Sequence, residues 1–147
     1  MFRDKHFYLV VFNSFWSIIY VNMTQKSKLG QEGENFAADY LKNRGYKVIE
    51  KNKREKWGEL DIITMAPDKT LVFIEVKTMV AGGEGYLKPE DQMSGAKIKK
   101  FRRTAELYAN SYKNQKFIND KKGWRLDLIA LEKQNGGQFL VRHYENI

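Results

Sequence analysis

The amino-acid sequence predicts an α/β fold, a mixed β-sheet flanked by helices in the order α-β-β-β-α-β-β. Three observations carry this. Apolar residues recur at helical spacing over 30–44 and over about 92–112, a dense β-branched and aromatic run fills 71–76 with a further strand-like run over 124–131, and turn-forming residues separate the strands. A chain of 147 residues, 42% apolar and 30% charged, suits one domain with an ordinary core and is not that of a disordered protein.

The first helix follows from Glu34, Ala37, Ala38 and Leu41, which fall at i, i+3, i+4 and i+7, with Gly45 as a suitable stop. Glu34 thus lies on the inward stripe, where an acid serves either the helix N-terminal dipole or a functional centre on the sheet. Tyr46 to Glu50 predicts the first strand, and Asn52 to Lys56 a basic connection. Leu60 to Met65 and Leu71 to Val76 predict two antiparallel strands about a turn supplied by Ala66, Pro67, Asp68 and Lys69. The stretch VAGGEGYLKPED that follows is glycine-rich but has neither GK[ST] nor GxGxxG, so no nucleotide-phosphate cradle is indicated. It is either a plain linker or a loop that orders around a nucleic-acid strand.

The second helix carries Ile98, Phe101, Ala105, Tyr108 and Tyr112 on one stripe, as a core face does. Around it stand Lys97, Lys99, Lys100, Arg102 and Arg103, which form either a solvated face or a grip on successive phosphates. Lys97 borders the apolar stripe, so its head can reach the hairpin end. Residues 124–131 and 138–143 predict the last two strands, the second after the turn at Asn135, Gly136 and Gly137. Trp57, just before the hairpin, has packing as its usual role and base stacking as the alternative.

Residues 1–27 form an apolar extension ahead of a domain over 28–147. From Phe7 to Thr24 no residue is charged, but Asn13, Ser14 and Ser17 interrupt a run already short for a membrane span, and no small-x-small cleavage site follows. The preferred account is that translation starts at Met23; an anchor over residues 7–22 and a packed or floppy extension are the alternatives. A net charge of +8, from 26 Lys and Arg against 18 acids, favours a polyanionic partner. The absence of Cys excludes disulfides, thiolate zinc sites and cysteine catalysis, and suits a reducing cytoplasm.

If the hairpin turn is centred on Asp68, then Met65 faces Leu71, Ile63 faces Phe73, Asp61 faces Glu75 and Glu59 faces Lys77. Opposed residues share a side of the sheet, so Glu59, Asp61, Glu75 and Lys77 cluster at one end. Two opposed carboxylates beside an apolar stripe repel unless a cation lies between them. Hard oxygens without Cys and with few His favour Mg²⁺ or Mn²⁺ over zinc, and Lys77 can hold a water or offset phosphate charge. Taken alone, D…ExK is so short that solvated strand ends, with Lys77 salt-bridged to Glu59, is the commoner explanation.

More than three letters match, however. The runs GELDII and FIEVK and the upstream GQEGENFAADYL together resemble the PD-(D/E)xK nuclease superfamily, and within it the YraN-like family of small bacterial proteins. The resemblance covers about residues 28–147 and includes Gly30, Glu34, Asn52, Gly58, Glu59, Asp61, Phe73, Glu75, Lys77, Lys97, Arg125 and Asp127. It implies a restriction-endonuclease-like core, akin to Holliday-junction resolvases, and a Mg²⁺- or Mn²⁺-dependent nuclease. The substrate implied is DNA, branched and single-stranded forms included, in DNA processing or repair. Asp61, Glu75 and the Val76 carbonyl would hold the metal, Lys77 would orient or activate water, and Glu34 would complete the catalytic group. Glu59 would support the ligands from behind, while Lys97, Lys100 and Arg103 would contact phosphates. Two departures stand out: no Pro precedes Asp61, and Met79 occupies a position where a basic residue is expected.

RLDLI echoes ELDII, which makes Asp127 a rival ligand, but no ExK follows and Arg125 offers an ion pair, so a structural role is expected. His143 stands isolated in sequence. The competing account of the whole chain is a non-catalytic nucleic-acid-binding module with the same fold. The expected partner is nucleic acid, DNA first, with no nucleotide cofactor and no membrane, and a homodimer remains open.

Overall fold

The computed structural model describes the backbone of residues 14–82 and 87–147 and the side chains from residue 27 onward, apart from that same gap. Expectations for residues 1–13 and for the centre of the glycine-rich stretch lie outside the described residues. The elements follow the expected order: α1 (Ser14–Asn43), β1 (Lys47–Glu55), β2 (Gly58–Met65), β3 (Leu71–Val80), α2 (Gly95–Ala109), β4 (Trp124–Lys133) and β5 (Phe139–Tyr144). They build one five-stranded mixed sheet in sequence order, antiparallel except where β3 runs parallel to β4 across the α2 connection.

α1 starts well before the expected Gly30 and crosses both Met23 and the boundary drawn at residue 28. Nothing between Ser14 and Gly30 breaks a helix, and the periodicity is read only from Gly30 on, where Ala37, Ala38 and Leu41 meet the sheet. Among the described residues no helix is long and apolar enough to cross a membrane. The helix ends as Gly45 predicts: its φ is +83°, its N–H donates to the Lys42 carbonyl, and Tyr46 N–H donates to Leu41, the paired bonds of a Schellman motif.

The two faces of the sheet bury separate cores. Ala37, Ala38 and Leu41 of α1 pack on Ile62, Val72, Ile74, Val76, Ile129 and Leu131. Phe101, Ala105, Tyr108 and Ala109 of α2 pack on Leu60, Ile63, Leu71, Phe73 and Leu126. Odd and even residues of β3 thus enter opposite cores, as a period of two requires, and Phe73, Glu75 and Lys77 share the α2 face. α2 is shorter than the sequence suggested. It ends at Ala109, because Asn110 caps it, and Tyr112 of the expected core stripe is 89% exposed beyond it.

The expected connection over Asn52 to Lys56 is instead the second half of β1, leaving Lys56 and Trp57 as the hairpin turn. Charged residues disguise this half because it projects past the core. The β2–β3 turn does follow from Asp68, whose carboxylate accepts from Thr70 N–H at 3.1 Å and from the Thr70 hydroxyl at 3.0 Å while Lys69 takes φ +72°.

Candidate functional site

β2 and β3 pair in the predicted register, Met65 with Leu71, Ile63 with Phe73 and Ile62 with Ile74, and there the pairing stops. Asp61 and Glu75 are not ladder partners, nor are Glu59 and Lys77. Beyond Ile62 the strands fork: β2 continues against β1 through Leu60↔Lys53 and Glu59↔Arg54, while β3 continues against β4 through Glu75↔Leu128 and Lys77↔Ala130. Asn52 lies between the pairs Lys51↔Ile62 and Lys53↔Leu60, opposite Asp61, with φ +52°. That left-handed residue coils the hairpin away from β3, and Leu60 accordingly enters the α2 core although Ile62 enters the other.

Asp61 occupies the crotch of the fork. Its Oδ2 accepts a 2.8 Å hydrogen bond from Val76 N–H, a side chain standing in for the lost ladder contact. Burial raises its carboxyl to about pH 7, the Glu75 charge adds to this, and the Val76 N–H and Lys77 ammonium oppose it. Glu34, half-buried on α1, adds a smaller repulsion in the same direction. Glu75 is bound to the Lys77 ammonium, and both side chains are about one-fifth exposed. Glu59, expected opposite Lys77, pairs instead with Arg54 Nε at 3.1 Å in an exposed position.

Asp61, Glu75 and Lys77 line a cavity of about 600 Å³ together with Glu59, Lys97 and Lys100. Six of the nine residues assigned site roles from sequence are therefore brought together. Arg103 is exposed on α2 outside the cavity, and Met79 continues the Glu75–Lys77 face of β3 beyond its lining. Two close approaches hold both helices at this end of the sheet. A Cβ on Gly33 of α1 would collide with the Thr78 side chain, and one on Gly58 would come within 2.5 Å of Thr104 Oγ1 on α2. Sequence reasoning singled out Gly30, which has open space around it, and missed Gly33. It also missed Lys56 and Thr104 as cavity residues, which only the folding of α2 over the hairpin tip brings in.

Among the described residues one trio of acids and histidine has ligand atoms within 4.8 Å of one another, Asp127, His143 and Glu145. It is not the trio the sequence favours. Asp127 is fully buried and receives Arg125 Nε at 3.0 Å, Arg125 Nη2 at 3.2 Å, His143 Nε2 at 2.9 Å and Asn146 N–H at 3.0 Å. Four donors fill the lone pairs of one carboxylate. Burial pushes its pKa up, but the bonds from His143, Arg125 and Asn146 outweigh this and hold it below the usual range. Arg125 also reaches Glu145 at 3.4 Å, so a cation would have to displace the guanidinium. His143 is therefore not isolated; it is a partner of Asp127, which has the structural place expected of it.

Residues 33–131 match the uncharacterised protein family UPF0102. The chain is 40% identical over 108 residues to a UPF0102 protein of Persephonella marina, covering 72% of this chain and 84% of that one. It is 33% identical over 126 residues to one of Corynebacterium efficiens, covering 84% and 94%, and 44% identical over 104 residues to one of Clostridium botulinum, covering 70% and 78%. A solved structure, Pyrococcus furiosus SfsA in complex with Ca²⁺, aligns at 15% identity with a TM-score of 0.34, over 84% of this chain and 63% of that one. A likeness that low carries no argument. Through its sequence matches, the chain belongs to the family its motifs resemble, UPF0102.

Proposed function

We propose that this protein is a Mg²⁺- or Mn²⁺-dependent nuclease that hydrolyses phosphodiester bonds of DNA, with a role in DNA processing or repair. The observation that carries the reading is the fork, where Asp61 and Glu75 meet Lys77 in a cavity that Lys97 and Lys100 of α2 also line. Neither α2 lysine has an ion-pair partner among the described residues, so both are available to phosphate.

The donor chemistry fits a hard divalent cation. Asp61 keeps Oδ1 outside its bond to Val76 and Glu75 offers its second oxygen, while Glu34 adds negative charge felt at Asp61. In an extended strand the N–H and C=O of one residue leave by the same edge. Val76 N–H reaches Asp61, which supports its carbonyl as a third ligand. When bound, such a cation supplies charge to the phosphate oxygens and acidifies attacking water. Lys77, released from Glu75, would position that water or offset phosphoryl charge, while Lys97 and Lys100 hold the backbone in line.

The reading is tested by incubating labelled duplex, flap, single-strand and four-way-junction DNA with Mg²⁺ or Mn²⁺. Cleavage is expected, lost by about 10²-fold or more in Asp61→Ala and Glu75→Ala, and lost in Lys77→Ala while binding survives. The second reading, a nucleic-acid-binding module without catalysis, draws on the commitment of Glu75 to Lys77. Binding of DNA without cleavage in either metal would decide for it.

A further inference from the structure

We propose that Trp57 is a stacking platform for a base of an unpaired polynucleotide strand, which runs from the large cavity across the hairpin tip into a second cavity. Where that strand enters rests on the reading of the large cavity as a phosphodiester site. Trp57 itself is identified by independent features.

Lys56 and Trp57 form the two-residue turn of the β1–β2 hairpin, and the indole is 41% exposed. Such turns ordinarily use Asn, Asp or Gly, whose backbones accept positive φ. Neither residue here has a positive φ, so turn chemistry does not explain the Trp. Nor is it buried to contribute to a core. A large exposed aromatic that neither turn chemistry nor core packing requires is a candidate contact position.

The platform is also held in place. Gly58, next in sequence, lies so close to Thr104 that the tip is seated directly on α2. Trp57 and Glu55 line both the large cavity and a neighbouring one of about 290 Å³, whose lining includes Lys53, Tyr108, Lys113 and Asn114. The indole thus stands at the junction of two adjoining hollows. Lys56 beside it, Lys97 and Lys100 on one side and Lys113 on the other have no ion-pair partner among the described residues. Cations spaced on either side of an exposed aromatic are the pattern of single-strand binding: charge follows the backbone and the ring takes a base face. The smaller cavity has room for a nucleoside-sized group and adds polar partners, the Asn114 amide and the Lys113 ammonium.

This selects the substrate. In duplex DNA both faces of an interior base are stacked, so an indole reaches a base face only where the strand is single, frayed or flipped. The smaller cavity would accept the nucleotide neighbouring the scissile phosphate.

The full chain is tested for binding in EDTA, where cleavage does not intervene, using oligo-dT, oligo-rU and a blunt duplex of equal length. Wild type is expected to prefer the single strands. Trp57→Ala should weaken single-strand binding about tenfold or more, change duplex binding little, and leave the salt dependence unaltered. Trp57→Phe should restore most of the loss, and Lys113→Ala should reduce the salt slope by about one. Equal binding by wild type and Trp57→Ala, equal losses on single strand and duplex, or no binding by wild type would each overturn the proposal. A dT preference over rU, or the reverse, identifies the strand. Trp57-dependent binding without cleavage in Mn²⁺ would leave this inference standing and remove the nuclease reading, whereas cleavage indifferent to Trp57 would do the opposite.

Discussion

Asp61 and Asp127 sit in near-identical pentapeptides, ELDII and RLDLI, yet the fold gives them opposite electrostatics. Asp61 has one backbone donor and two acidic neighbours, and burial raises it to about pH 7. Asp127 has four donors, including Arg125, and is held below the usual carboxylate range. Opposite pH dependences follow. The folded-state pKa of Asp61 exceeds its unfolded value, so its stability contribution is fully present below about pH 4 and is lost as pH rises through about 7. Asp61→Asn should therefore stabilise the metal-free protein at pH 8, on the order of 2–4 kcal/mol, and change it little near pH 4. Thermal melts in EDTA across that range check this, and a constant difference would contradict it. The folded pKa of Asp127 is depressed, so its contribution is present above the unfolded value and lost as pH falls through the folded one. Asp127→Asn should cost about 3–5 kcal/mol at pH 7 by removing the buried charge that Arg125 and His143 share. Denaturant titrations should show that deficit narrowing below pH 4.

At the scale of elements, the site depends on a hairpin that leaves its sheet. β2 pairs with β3 only as far as Ile62↔Ile74, and the left-handed Asn52 opposite Asp61 turns the strands apart. Asn accepts that conformation with little strain and Gly more easily still, whereas a β-branched residue does not. Asn52→Gly should fold with nearly wild-type stability, and Asn52→Val should lose about 1–3 kcal/mol. Equal unfolding midpoints for the two variants would show that the kink does not depend on this residue. The same kink explains why the predicted register held through Ile63 and Phe73 but did not bring Asp61 directly opposite Glu75. Alternation and the Asp68 turn set local pairing; where pairing ends is a matter of which neighbour each strand prefers.

Across the whole molecule, the net charge of +8 acquires direction only when α2 packs against the hairpin. Lys97 and Lys100 then line the same cavity as Asp61, Glu75 and Lys77, while Arg103 stays outside. Counterion release makes such contacts visible in salt titrations. Under the proposed function, Lys97→Ala and Lys100→Ala should each weaken DNA binding and reduce the slope of log K against log salt by about one, and Arg103→Ala should change it less. A slope lost equally in all three would mean that binding uses the helix as a diffuse charged surface.

The sequence by itself determined the element order, the hairpin turn at Asp68, the helix stop at Gly45 and the family, because periodicity, turn chemistry and short motifs act over a few residues. It also determined that Asp61, Glu75 and Lys77 belong together, since one hairpin carries all three. Only the tertiary structure decided that the D…ExK hairpin is forked, that Asp61 bonds Val76 and Glu75 bonds Lys77, and that Asp127 is tied to Arg125 and His143. It alone made Gly33 rather than Gly30 the close contact of α1, and set Trp57 between two cavities. The physical reason is range. Burial, desolvation and ion pairing depend on what distant segments bring to a residue, and no local pattern contains that.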